Sequence, residues 1–120
     1  MKYRRDYVTN SSSSSYVIMA KVNVTASLIK HMKIEYGKYG LRLMDEHIVS
    51  GKEIIDNDTS ELWDCCEDND LWSQIDPDSS YMLARFIEYT NDGDSNGDDA
   101  WLYEHIPDKY LEKLYESSTY

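Results

Sequence analysis

The stretch YMLARFIEYT, Tyr81 to Thr90, carries apolar side chains on both of the faces a β-strand would present. Such a strand belongs in the middle of a sheet, because each of its sides needs cover. Immediately before it, IDPDSS is dense in turn formers, and after it NDGDSNGDD is a polar loop. A second core strand is read at Tyr16 to Val24, YVIMAKVNV, where β-branched and aromatic residues give way to alternation.

Between the two strands the pattern turns helical. Thr25 can cap a helix along TASLIKHMKIEYGKYG, where Leu28, Ile29, Met32, Tyr36 and Tyr39 keep a 3.6-residue spacing. Lys30, Lys33 and Lys38 lie off that stripe, and Gly37 and Gly40 offer C-terminal stops. HIVSGKEII, with two short β-prone runs around Ser50 and Gly51, reads as a hairpin. Asp58 and Glu61 form a capping pair for a helix running to about Trp72, with Leu62, Cys65, Cys66 and Trp72 toward the core. Ala100 to Tyr103 is a further short strand or a helix start. Pro107 suits the first turn of a C-terminal helix, PDKYLEKLYE, whose stripe is Tyr110, Leu111, Leu114 and Tyr115.

That order implies an α+β fold, a single small domain with a mainly antiparallel sheet and two or three packed helices. With 120 residues the chain has room for one modest core. Residues 1–15 read as a basic, serine-rich N-terminal arm and residues 16–120 as a single acidic α+β domain. The longest apolar runs, such as Tyr16 to Ala20, fall far below the roughly 20 residues that span a bilayer, and no apolar leader follows the start. A soluble, cytoplasmic protein without membrane contact is therefore expected. The only cysteines, Cys65 and Cys66, are adjacent, which makes a reduced pair the simpler reading.

The net charge of −11 is unevenly divided. Residues 1–42 hold eight Lys or Arg against two acids, and residues 43–120 hold four against twenty-one. Either the basic third folds against the acidic remainder and neutralises it, or a large negative surface is left for a basic partner. Direct binding to nucleic acid is disfavoured, because that needs a basic footprint.

RRDYVTNSSSSSYVI, from Arg4 to Ile18, combines Arg4 and Arg5, the pair Tyr7 and Val8, Asn10, five serines from Ser11 to Ser15, and Tyr16 entering a strand. It resembles an N-terminal segment that recurs on small, otherwise unrelated proteins of phages, bacteria and archaea, usually with Phe where Tyr7 and Tyr16 stand here. The resemblance covers about 15 residues; it implies a phage or mobile-element origin and no activity for the remainder. Read by composition alone, the serines are a polar linker.

The loop around Asp92, Asp94, Asn96 and Asp98 resembles the first half of an EF-hand, with oxygen donors at its first, third and fifth positions, Gly97 at the sixth and the Asp98 carbonyl beyond it. Its twelfth position, where a bidentate Glu belongs, is Tyr103, so calcium is a weak candidate and no other cofactor is implied. Cys65 and Cys66, flanked by Asp64 and Glu67, make a poor nucleophile site because neighbouring acids raise a thiol pKa. His31, His47 and His105 have no zinc spacing and read as surface or packing residues. Phosphate, dinucleotide and nucleophile-elbow motifs do not occur, so no enzyme is expected.

Charge and the eleven tyrosines together point to a binding protein. The expectation is a stoichiometric inhibitor of a host nucleic-acid-handling or defence enzyme, of anti-CRISPR type, acting by nucleic-acid mimicry. Asp64, Glu67, Asp68, Asp70, Asp92, Asp94, Asp98 and Asp99 would meet the basic protein surface of that nucleic-acid-binding partner. The alternative is a structural or accessory phage protein that self-associates through β edges and tyrosines, with or without calcium.

Overall fold

A computed structural model describes the backbone of residues 13–89 and 97–119, with side chains described over 16–86 and 97–117. Strand β1 (Ser13–Val22) is followed by helix α1 (Ala26–His47), the two-residue strand β2 (Val49–Ser50), helices α2 (Gly51–Asp56) and α3 (Glu61–Asn69), strand β3 (Ser80–Tyr89), helix α4 (Asp98–His105) and strand β4 (Leu111–Thr119). The four strands form one antiparallel sheet in the order β2-β3-β1-β4. This is the α+β architecture expected from the sequence.

Strand alternation divides the core into two layers. Tyr16, Ile18, Ala20 and Val22 of β1 and Met82, Ala84 and Phe86 of β3 face one side. There they pack against Leu28, Met32, Leu43 and Met44 of α1 and Ala100, Leu102 and Tyr103 of α4. Tyr16 and Phe86 are register partners, and their rings stack at 5.1 Å. Met19 and Tyr81 face the other side, against Ile54 of α2, Cys66 of α3 and Leu71. Each fully buried Ile, Leu or Met contributes about 1.5–3 kcal/mol. Both faces of β3 are therefore covered, which is why its apolar residues do not alternate with polar ones.

Tyr81 also fixes the turn ahead of its strand. Its hydroxyl accepts the Asp76 amide at 2.7 Å and donates to the Gln74 carbonyl at 3.2 Å.

Five expectations need correction. Gly37 does not end α1: the helix bends there, at φ 61° and ψ −145°, and continues to His47. The hairpin at Ser50-Gly51 is instead a junction, because the Ser50 hydroxyl accepts the Glu53 amide at 3.1 Å and starts α2. The cap of α3 is Ser60 rather than Asp58; its hydroxyl accepts the Trp63 amide at 3.0 Å.

The largest departure is at the C-terminus, where 111–119 is strand and not helix. The register of β4 on β1 slips between Met19 and Ala20, leaving Leu114 as an extra residue. That bulge breaks the period of two, so Leu111, Leu114 and Tyr115 imitate helical spacing. Pairing with β1 decides the outcome over local propensity. The serine tract is also partly structural, since Ser13 and Ser15 lie opposite Tyr89 and Ile87. Arg4, Arg5, Tyr7, Val8 and Asn10 lie outside the described residues.

Candidate functional site

An acidic lobe. Between Glu53 and Asp78 the chain has ten carboxylates, all exposed, and no Lys or Arg. This segment forms α2, α3 and the 3-10 turn Trp72–Gln74, all on the sheet face opposite α1 and α4. The amphipathic period explains the layout of α3. At 100° per residue Leu62, Cys65, Cys66 and Asn69 turn to the core, and Glu61, Asp64, Glu67 and Asp68 fall in the opposite arc of about 120°.

Asp70 follows at the C-cap in a left-handed conformation, φ 55°. Trp63 and Trp72 stand edge to face at 5.7 Å, both half-buried. The Trp72 indole N–H donates to Glu67 Oε1 at 2.9 Å. Aromatic area thus sits directly beside the carboxylates.

The lysines of α1 do not neutralise this lobe. Lys30, Lys33 and Lys38 are exposed on the far side of the sheet, and among the described residues no ion pair joins α1 to α2 or α3. Arg85 of β3 does reach α3, placing Nη2 2.5 Å from Glu61 Oε2.

A cleft at the sheet edge. Because β2 pairs only at Tyr81 and Ser80, β3 has, among the described residues, no strand beside it from Leu83 onward on that side. A cleft of about 450 Å³ occupies this place, lined by Glu46 and His47 of α1, Glu61 and Leu62 of α3, Leu83 and Arg85 of β3, and Asp99 of α4. Asp99 accepts the Arg85 backbone amide at 2.7 Å and so satisfies the strand edge. Asp98 Oδ1 accepts the Tyr39 hydroxyl at 3.0 Å, which raises the Tyr39 pKa. Tyr39 itself lies against Trp101 at 5.0 Å and under Arg42 at 5.3 Å.

The acids named from the sequence consequently fall into separate groups. Asp64, Glu67, Asp68 and Asp70 cluster on the lobe, whereas Asp99 lines the cleft and is engaged by Arg85, and Asp98 is engaged by Tyr39 beside Glu46 and His47. Asp92, Asp94 and Asn96 lie outside the described residues, and with them most of the calcium reading. The group that could hold an ion among the described residues is a different one: Glu46, His47 and Asp98, whose ligand atoms lie within 4.8 Å of one another. In the sequence His47 has no zinc spacing and reads as a surface or packing residue, since nothing local links it to a residue 51 positions later.

Cys65 and Cys66 are free thiols. Burial raises both pKa values, that of Cys66 to about 11. The pKa values thus rise in the direction expected from the sequence, with burial rather than the flanking acids as the main cause. No helix among the described residues is long and apolar enough to cross a membrane. No family model, curated protein or solved structure matches the chain.

Proposed function

We propose that this chain is a stoichiometric binding protein whose acidic lobe covers a basic, nucleic-acid-binding surface on another protein, with carboxylates standing where phosphates would. The observation that carries the reading is the face of α3. From Glu61 to Asp68 four carboxylates share that face over seven residue steps, about 10.5 Å of helix axis, or about one charge per 3.5 Å. One strand of duplex DNA presents a charge about every 3.4 Å.

The placement also runs against helix stability. Glu67, Asp68 and Asp70 gather at the C-terminal end of α3, where the macrodipole disfavours anions, and the last turn holds no base. The Trp72 indole N–H offsets Glu67, and the local rule broken at Asp68 and Asp70 points to a partner. Trp63 and Trp72 supply anchoring area beside the charges, the combination that interfaces favour. The resemblance of the N-terminal segment suits a phage protein that inhibits a host nucleic-acid-handling or defence enzyme, an anti-CRISPR role included.

The test is a pull-down from nuclease-treated bacterial lysate with a salt gradient, run beside a variant carrying Asp64→Lys, Glu67→Lys and Asp68→Lys. One basic nucleic-acid enzyme, retained stoichiometrically, released by salt and lost with the variant, is the expected result. Retention that ignores both salt and charge reversal would refute mimicry. A second reading, self-association, draws on β4, which among the described residues pairs with β1 alone and leaves its outer edge along Leu111–Thr119 without a strand. Sedimentation that shifts with concentration would favour it.

A further inference from the structure

We propose that Glu46, His47 and Asp98 form a binding site for a divalent transition-metal ion of the zinc class, between the end of α1 and the first turn of α4. Imidazole from the last turn of α1 and carboxylates from two separate elements converge here although 51 residues divide His47 from Asp98. Their ligand atoms lie within 4.8 Å of one another, and His47 Nε2 is 4.0 Å from Glu46 Oε1. Donors around a tetrahedral zinc stand about 3.4 Å apart, given bonds of about 2.0–2.2 Å. Closing the remaining ångström takes rotation of the Glu46 and His47 side chains, of which 50% and 30% is exposed.

Three further features favour an ion. Among the described residues no Lys or Arg forms an ion pair with Glu46 or Asp98; Arg42, one turn before Glu46, lies over the Tyr39 ring and Arg85 pairs with Glu61. Tyr39, which lies outside the donor set, holds the Asp98 carboxylate, as outer-shell partners hold metal ligands. The donor set also selects the metal: a nitrogen ligand suits Zn²⁺, Co²⁺ or Ni²⁺, whereas Ca²⁺ and Mg²⁺ take oxygen. Three protein ligands would leave a coordination position open, and two of the three, Glu46 and His47, also line the cleft with Glu61, Arg85 and Asp99. This site is distinct from a calcium loop: it draws on the Asp98 carboxylate together with α1, and on neither Asp92 nor Asp94.

The test titrates the full chain with ZnCl₂ by calorimetry and with CoCl₂ by visible absorption. One ion per chain is expected, with His47→Ala and Asp98→Asn each weakening affinity by more than about tenfold. Calcium should not compete, and Asp92→Asn combined with Asp94→Asn should leave zinc affinity unchanged. In case a variant misfolds, the His47 ring resonances of the unaltered protein give a second readout: they shift on zinc addition if the imidazole is a ligand. Absence of uptake, uptake indifferent to His47→Ala and Asp98→Asn, or loss of binding in Cys65→Ser or in the Asp92 and Asp94 variant instead, would overturn the site.

Discussion

The carboxylate of Asp99 accepts the backbone N–H of Arg85 at 2.7 Å, so the first turn of α4 fills a hydrogen-bonding place on β3 that a neighbouring strand would otherwise take. A charge-assisted bond of this kind is worth about 1.5–3 kcal/mol. Asp99 is half-buried, which limits how well water can replace it. Asp99→Ala should therefore lower stability by about 1–2 kcal/mol in urea unfolding. Asp99→Asn, which keeps an acceptor, should lose less; equal losses would mean the amide bond is not the cause.

The same arginine makes a second contact of very different weight. Arg85 and Glu61 pair across β3 and α3, but their side chains are 50% and 64% exposed. Exposed pairs contribute about 0.2–1 kcal/mol. A double-mutant cycle with Arg85→Ala and Glu61→Ala should give a coupling energy of no more than about 0.5 kcal/mol, shrinking as salt is added. Coupling well above that would show a pair shielded from solvent.

Two glycines separate conformational strain from steric overlap. At Gly37 a Cβ would meet nothing within 4 Å, but φ is +61° with ψ −145°, a region that other residues avoid. At Gly51 the Cβ would stand 2.0 Å from the Asp76 carbonyl oxygen. Gly37→Ala should cost about 1–3 kcal/mol through backbone strain alone. Gly51→Ala should cost about 3 kcal/mol or more and disturb the turn at Asp76, since backbone must move. Denaturation midpoints together with amide chemical shifts at 76–80 distinguish the two: only the second variant should perturb that turn.

Alkaline pH should weaken the fold through its buried neutral acids. Desolvation raises Cys66 from 9.0 to about 11, and desolvation, with Asp108 and Glu116 adding to it, raises Tyr103 from 10.0 to about 12. Above pH 9 the unfolded chain loses the Cys66 proton while the folded chain keeps it, so the unfolded state binds fewer protons and stability falls as pH rises. The stabilisation is complete below pH 9 and lost between pH 9 and 11 for Cys66, and between pH 10 and 12 for Tyr103. Urea midpoints measured from pH 8 to 11 should decline accordingly, and Cys66→Ala should flatten the slope between pH 9 and 11. Thiol titration in the native state should label half-buried Cys65 ahead of Cys66.

How much of this was legible in the sequence depends on the distance over which each pattern acts. Strand β3 shows itself because both its faces are covered, and α1 because Thr25 and the Leu28–Met32–Tyr36 stripe act locally. The acids of α3 are equally plain, since exposure follows from the helical period. Strand β4 was hidden by one extra residue at Leu114, whose effect exists only relative to β1. The start of α2 lay in Ser50 and Glu53, a capping pair inside a run that also suits a hairpin. The grouping of Glu46, His47 and Asp98 was invisible, because only the packing of α4 against α1 brings it about.

Asp68 offers a test in which stability and function move in opposite directions. It lies near the C-terminal end of α3, one helical turn after Asp64, so it faces both the negative end of the helix dipole and a like charge at i,i−4. Asp68→Lys removes both penalties and should stabilise the fold by about 0.5–1 kcal/mol, read from the thermal or urea midpoint at low salt. If the carboxylate serves only to keep the surface charged, the variant should be better folded and otherwise unaltered. If it stands in for a phosphate, the more stable protein should bind its basic partner more weakly. A variant that gains stability and loses affinity would tie the acidic face of α3 to recognition, because loss of fold could not explain the loss of binding.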